Sequence, residues 1–463
     1  MLNEVINDLK EIAKNAKSEY LIETLALYLF IAIIFYPPYF ETSDSKTYLA
    51  QAYLLANGKL YEENHLDAYN LRQMNDKFMS YFPLGQSLWL MPFVKIGFGF
   101  VFLSGIIGHL LGWLAFLLIL HKMKIKLFYS VFFLFFPPLI YYSRTLMSET
   151  ISIALLLLGI YFYILQTKKS LAIAGLLFGL TFWFRITNPI IVLPFFAVLL
   201  FKNKNAFFYA MTTFLIPIIS LIIFNLLNFG TIDTYSIAGE KNFVNLQNNT
   251  MILNYLLVLL VGFLPFLSMQ YFLFPFLIFS LNYANEKIKI ELILSTILSL
   301  IFFGAFQIDS VRYIVPTATL MLIFYPIALE NLHKKINKKI EFAKSNSFKA
   351  FCVLWFLGLL SVLIISQSNL QETKEVAQKI YFSTTENSLI LGNYDVEKFL
   401  YQGKGKRSFL KVEEKPSEEK ILELKRQFQD IFYISINYEK KKPINIIERL
   451  RGKSNYQTEI EKI

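Results

Sequence analysis

Between residues 20 and 367 the sequence returns repeatedly to apolar runs of about 20 residues, the length an α-helix needs to cross a hydrocarbon layer. The runs lie near 20–38, 98–120, 127–143, 150–166, 171–188, 189–201, 206–227, 266–282, 290–306, 312–330 and 350–367. They predict about eleven transmembrane helices, with 87–95 and 251–265 reading better as interfacial or re-entrant segments. At 55% hydrophobic and only 17% charged residues, a 463-residue chain holds more apolar surface than a soluble protein of that size needs to bury. A soluble fold is disfavoured from the outset.

The net charge of +11 does not point to nucleic acid, because Lys and Arg sit in short clusters between apolar runs and form no basic stripe among stacking aromatics. Every second connection carries the charge: Lys122, Lys124 and Lys126; Lys168 and Lys169; Lys202 and Lys204; Lys287 and Lys289; and the cluster Lys334, Lys335, Lys338, Lys339, Lys344 and Lys349. Short basic loops are retained in the cytoplasm, so the N-terminus is expected inside and the tail outside. The first run ends in Tyr36-Pro37-Pro38 with no small-residue cleavage site, so it reads as a retained signal anchor. The expected organisation is a cytoplasmic amphipathic N-terminus (1–18), a transmembrane domain (19–368) with a large outer loop at 39–86, and an extracytoplasmic tail (369–463). The protein is expected as a multi-pass constituent of the plasma (inner) membrane.

The tail changes character. It shows a helical pattern at Glu372–Tyr381, strand-like stretches at Ser388–Leu391, Lys406–Val412 and Ile431–Ile436, and a charged helix at Ser417–Asp430. Together these predict a small α/β domain, with a flexible arm as the alternative for its Lys-rich end from 440 onward. No internal repeat of fixed period and no low-complexity segment occurs. The single Cys352 rules out an intrachain disulfide, and the four histidines at 65, 109, 121 and 333 form no ligand cluster. No metal-ligating residue is assigned. No glycine-rich phosphate loop of the nucleotide-binding kinds is present.

Ionisable residues at membrane depth or at a helix mouth are costly unless paired or hydrated, which makes each a site candidate. They cluster on the expected outer side: Asp44, Arg144 with Glu149, Arg185, and Asp309 with Arg312, along with the loop carrying Asp233, Glu240 and Lys241. Each has a plainer alternative. Asp44, before a helix-like segment from Tyr48 to Asn57 that stops at Gly58, is placed to cap a helix. Arg144 and Glu149, in Ser143-Arg-Thr-Leu-Met-Ser-Glu149, fit a surface ion pair. Arg185, among aromatics before Pro189, fits a side chain snorkelling to the interface. Asp309 and Arg312 fit a helix-end anchor. Several cations and carboxylates around one outer cavity suit a phosphate-bearing ligand with a hydroxyl partner.

Four stretches, in order, resemble the GT-C superfamily of membrane glycosyltransferases, in particular its protein O-mannosyltransferase-like and aminoarabinose-transferase-like branch. They are Asp44…Gly58…Tyr81-Phe-Pro-Leu-Gly85; Ser143-Arg-Thr-Leu-Met-Ser-Glu149; Gly175-Leu-Leu-Phe-Gly-Leu-Thr-Phe-Trp-Phe-Arg185; and Arg312-Tyr-Ile-Val-Pro316. Asn228-Phe-Gly230 with the polar loop after it, and Asn393-Tyr…Tyr401 in the tail, are also similar, so the resemblance spans nearly the whole chain. Two departures stand out: Ser45 follows Asp44 where some members have a second acid, and the return motif reads Phe82-Pro83 in place of Pro-Pro.

The resemblance implies an all-α polytopic fold with a small C-terminal α/β domain. It also implies transfer of a sugar, with inversion, from a polyprenyl-phosphate donor to a lipid, glycan or protein acceptor on the outer side. Asp44 is then the expected general base; Arg185, Arg312 and Arg144 the expected phosphate-binding cations; and Glu149, Tyr48 and Asp309 the expected sugar, acceptor or orienting residues. A divalent cation stays open as a cofactor. The rival readings are a transporter or flippase of lipid-linked sugars, which would show duplicated halves and matched broken helices, and a non-catalytic scaffold.

Overall fold

The computed structural model describes residues 2–40, 43–68, 70–74, 76–232, 288–305, 315–323, 346–397, 399–400, 407–412, 414–438 and 456–463. Asp309, Arg312, Asp233, Glu240, Lys241, Tyr401, the 251–265 and 266–282 segments and most of the 312–330 run lie outside them.

Helices carry most of the described chain. They are α1 (Leu2–Asn15), α2 (Leu21–Ile34), α3 (Ser43–Ala56), α4 (Gly85–Ile96), α5 (Leu103–Lys122), α6 (Val131–Leu134), α7 (Pro137–Ser143), α8 (Glu149–Ile164), α9 (Lys168–Phe184), α10 (Asn188–Lys202) and α11 (Lys204–Phe229). Later come α12 (Lys289–Ala305), α13 (Val315–Met321) and α14 (Asn346–Ser383). The segments Phe98–Lys122 and Lys204–Phe229 are long and apolar enough to cross a membrane by length and composition. Helix α11 leaves Phe208, Ile216, Ile219 and Leu227 exposed, and α2 does the same with Ile22, Phe30 and Ile33. A contiguous stripe of this kind is unfavourable in water and favourable against lipid.

The expected span at 127–143 is not one helix. A single 3-10 turn (Leu127–Ser130) leads into α6, the backbone opens at Phe136, and α7 starts afresh at Pro137. Pro137 and Pro138 supply no N–H donors, and a residue before proline is pushed out of the helical region, so the run cannot continue through them. Close approach elsewhere depends on glycine. A Cβ on Gly175 or Gly179 of α9 would sit 2.0 Å from the Ala210 oxygen or 2.3 Å from the Phe214 oxygen of α11. This is the small-residue contact by which membrane helices pack backbone to backbone.

The 350–367 run and the separate helix expected at Glu372–Tyr381 are one helix, α14, which spans 38 residues. It runs into a four-stranded sheet of β3 (Leu389–Gly392), β4 (Ser408–Lys411), β5 (Ile431–Tyr438) and β6 (Tyr456–Lys462), in the order β4-β3-β5-β6. β3 pairs in parallel with β4 and β5, and β6 closes the edge antiparallel to β5. Of the two readings of the end of the chain, part of the α/β domain or a flexible arm, residues 456–462 take the first as a strand of the sheet. Alternation in a solvent-facing edge strand is weak in sequence, and the partner β5 supplies the pairing. Arg407 is buried where α14 ends: its Nε donates to Thr384 Oγ1 (2.9 Å) and its Nη2 to the carbonyls of Tyr381 and Thr384 (3.1 and 2.9 Å). A guanidinium there satisfies carbonyls that a helix end otherwise leaves unpaired.

The loop after α3 folds back on this sheet. It contains the hairpin β1 (Arg72–Met74) and β2 (Lys77–Met79). Leu66 packs with Leu389, Leu391, Leu424 and Ile431, Ser408 Oγ donates to Asp67 Oδ1 (2.7 Å), and Asn70 Nδ2 donates to the Leu400 carbonyl (3.0 Å).

Candidate functional site

The basic connections Lys122–Lys126, Lys168–Lys169 and Lys202–Lys204 fall at one end of the bundle, and the turns before α8 and α10 fall at the other. Three residues, 185–187, separate α9 from α10, and a tight turn, 144–148, separates α7 from α8. Arg185 is the residue at which α9 stops, with an extended backbone and its N–H on the Thr181 carbonyl (2.9 Å). Glu149 opens α8. An arginine at a helix C-terminus and a glutamate at an N-terminus each complement the local dipole.

The two side chains meet: Arg185 Nη1 donates to Glu149 Oε1, and both residues are buried, at 5% and 0% exposure. Snorkelling to the interface is thus not what Arg185 does. Nor do Arg144 and Glu149 form a surface pair, since Arg144 is also buried and points elsewhere. Its Nε donates to the Phe35 carbonyl (2.8 Å) at the end of α2, and its Nη2 to Gln367 Oε1 on α14. The Arg144 turn is held close to α5 because Gly105 leaves room, a Cβ there falling 2.4 Å from the Ser143 oxygen.

Asp44 lies in the first turn of α3, which starts at Ser43, five residues ahead of the expected helix at Tyr48. It is inside the helix and not at the capping position, and it is half-buried. The helix ends as expected at Gly58, whose φ of +72° suits only glycine well. Lys59 N–H bonds the Leu54 carbonyl (2.9 Å) and Gly58 N–H that of Leu55 (3.1 Å), which closes the last turn. One turn after Asp44, Tyr48 is buried and stacked on Phe82 at 4.8 Å, and its carbonyl accepts from Ser87 Oγ (3.1 Å). The Tyr48 ring therefore packs between α3 and the return segment. The neighbour of Ser87, Gln86, donates from Nε2 to the Leu146 carbonyl (2.8 Å), inside the Arg144–Glu149 turn. An unbroken series of contacts thus links the Asp44 helix to the Arg185–Glu149 pair.

Several of these residues escape a search for ionisable groups. Gln86, Asn188 and Gln367 are uncharged amides. Asn188 is buried and donates to Ser152 Oγ, which pins the start of α10 to α8. The only sequence signal for it is the Asn188-Pro189 step that opens α10. Lys46, also overlooked, is buried with its ammonium 5.5 Å from the Phe40 ring centre and 5.8 Å from that of Phe399. Among the described residues no group of three His, Cys, Asp or Glu side chains is arranged to hold a metal ion.

No protein-family model matches the chain, and no curated protein matches it by sequence. Structure is more informative. ArnT from Cupriavidus metallidurans, in a crystal structure bound to undecaprenyl phosphate, superposes with a TM-score of 0.61 at 11% identity, over 90% of this chain and 92% of its own. The chain has the GT-C fold. An oligosaccharyltransferase of Archaeoglobus fulgidus in its apo form also matches, at 11% identity over 89% of this chain and 69% of its own, but its TM-score of 0.49 adds nothing to that assignment. The GT-C likeness extends along almost the full length of both partners in the first superposition, in keeping with a sequence resemblance dispersed over four distant stretches.

Proposed function

We propose that the protein is a membrane glycosyltransferase that moves a sugar from a polyprenyl phosphate to an acceptor hydroxyl on the extracytoplasmic side. The observation that carries this reading is the convergence of the Asp44 helix, the Arg144–Glu149 turn and Arg185 at one end of a GT-C-type bundle. The bound undecaprenyl phosphate of ArnT supports a lipid-phosphate donor. In this reading the end with the Lys-rich connections faces the cytoplasm. The tail sheet and the 39–86 loop lie outside.

The chemistry asks little of the protein. A phosphate is a good leaving group, so one carboxylate that accepts the acceptor's proton suffices. Asp44 takes that proton as the acceptor oxygen forms its bond to the anomeric carbon. The bond from that carbon to the phosphate oxygen breaks on the opposite face, which inverts the centre, and the electron pair stays on the phosphate. Arg185, held in orientation by Glu149, presents its positive charge to the phosphate as negative charge develops there. Arg312 and Arg144 are assigned the same role, Arg312 with Asp309 beside it in sequence. The long prenyl tail of the donor stays in lipid while its head enters the polar end.

The test is transfer of labelled sugar from a panel of polyprenyl-phosphate sugars to native membrane acceptors, with wild type and Asp44→Asn side by side. Loss of transfer by about 10²-fold or more in the variant is expected for a general base. Equal transfer by both removes Asp44 from that role. Movement of the sugar lipid across liposomes without any acceptor would replace transfer by transport.

A further inference from the structure

Three separate contacts run from the C-terminal unit to the segment that precedes and begins the Asp44 helix. Gln367, on α14, accepts from Arg144 Nη2, while Arg144 Nε holds the Phe35 carbonyl. Tyr39, buried five residues before Asp44, donates its hydroxyl to the Phe399 carbonyl (2.9 Å). The Phe399 ring lies beside the Lys46 ammonium, two residues after Asp44. Residues 35–46 are therefore gripped at both ends by a part of the chain more than 300 residues away. The grip has its own support, since Arg407 fixes the end of α14 and Asn70 and Asp67 tie the loop after α3 to the same sheet.

We propose that the C-terminal unit is a working part of the transferase: through Gln367 and the Phe399 carbonyl it positions the Asp44 helix, with Gln367 and Tyr39 as positioning residues that touch no substrate. The inference rests on the proposed transferase function. A general base works only within hydrogen-bond reach of its proton, and a displacement of about 1 Å costs on the order of 10²-fold in rate. Tyr39 contributes a contact within the segment that has no regular structure, 36 to 40, and Gln367 contributes one through Arg144 to Phe35 just before it, so the loss of either leaves the position of α3 less determined.

The experiment compares wild type with Tyr39→Phe, Gln367→Leu, Gln367→Glu and, as a control, Lys415→Ala, which removes only an exposed ion pair with Glu461 in the tail. Steady-state transfer and hydrogen exchange of the α3 amides are read for each. The expected result for Tyr39→Phe is a kcat lowered about 10-fold with donor KM unchanged, and for Gln367→Leu, which also disturbs Arg144, a kcat lowered at least as much; both should show faster exchange in α3. Gln367→Glu, which keeps an acceptor for Arg144, should retain most of the turnover, and Lys415→Ala all of it. A kcat within twofold of wild type in both Tyr39→Phe and Gln367→Leu would overturn the proposal. So would a raised donor KM at constant kcat, the mark of a lost ligand contact. If wild type transfers no sugar from any donor, the transferase reading fails, and exchange decides alone: faster α3 exchange in both variants sustains the positioning role, and unchanged exchange removes it. Should Gln367→Leu fail to fold, Tyr39→Phe and Gln367→Glu carry the test.

Discussion

The two ends of the helix bundle both hold charged side chains, but they hold them differently. At the Lys-rich end Lys122 reaches Asp8 (3.0 Å) and Glu4 (3.2 Å) of α1, and Lys202 reaches Glu291 (3.4 Å), with lysine side chains 22% and 53% exposed. At the opposite end Arg185 and Glu149 have side chains 5% and 0% exposed. Lysines that keep contact with solvent while gripping a carboxylate anchor helices at little cost. An arginine and a glutamate withdrawn from water cost several kcal/mol of desolvation, on the order of what their attraction returns, so stability alone does not account for them. Both ends bury carboxylates, Asp8 and Glu291 at one and Glu149 at the other, but only at the Lys-rich end does the cation that grips them reach solvent.

The sharpest way to break that comparison is Glu149→Gln. It removes the carboxylate charge from the buried contact with Arg185 and should cost about 3–5 kcal/mol, read as a fall in melting temperature in detergent. Replacing both, Glu149→Met with Arg185→Leu, should recover most of that stability and none of the sugar transfer. Recovery of transfer would make the pair a mere helix tie. The next test is steric. Gly105→Ala pushes the Arg144 turn away from α5 and should lower turnover about 10-fold per folded molecule. Gly175→Ala, where the added carbon meets the Ala210 oxygen, should lower stability by about 1–3 kcal/mol while folded molecules keep their turnover. Lys122→Met at the Lys-rich end should cost about 1 kcal/mol or less and leave turnover within twofold of wild type.

The smallest effect concerns the tail. Lys462 and Thr385 bond the Asp430 carboxylate and hold it below the usual range. A depressed carboxylate contributes stability above its unfolded value, near 4, and loses it as pH falls through the folded value. Wild type should therefore exchange more slowly along β5 and β6 than Asp430→Asn at pH 7, and that advantage should shrink as pH falls below about 4. A difference at pH 3 as large as that at pH 7 would contradict the assignment.

Much of the bundle was legible because one signal, apolar length, decides it: α5, α8, α9, α11 and α12 fall within a few residues of their predicted runs. The break before Pro137 was there to be read from the prolines and was masked by the apolar residues around them. The first turn of α3 was missed because Ser43-Asp-Ser-Lys-Thr47 offers no apolar period, and tertiary contacts with the return segment decide it instead. At the candidate site the charged residues announced themselves and their pairings did not. Which carboxylate meets which arginine depends on how α7, α8 and α9 pack, and Gln86, Asn188 and Gln367 matter only through that packing. The strand at 456–462 was hidden because a largely exposed edge strand, Tyr456-Gln-Thr-Glu-Ile-Glu-Lys462, carries little apolar alternation, and its pairing with β5 decides it instead.

Helix α14 has a consequence of its own. At 38 residues it is about 57 Å long, close to twice the hydrocarbon thickness of a bilayer. In the proposed orientation this rod continues from lipid into the tail sheet, so a change in membrane thickness becomes tilt, and tilt at its base becomes lateral travel at its top. Because Gln367 on this rod is bonded to Arg144, and Arg144 to the Phe35 carbonyl ahead of the Asp44 helix, the proposed orientation makes the bilayer itself a mechanical input. Turnover in short-chain and long-chain phosphatidylcholine should then differ at equal donor concentration, with an optimum where the apolar part of α14 matches the lipid around it.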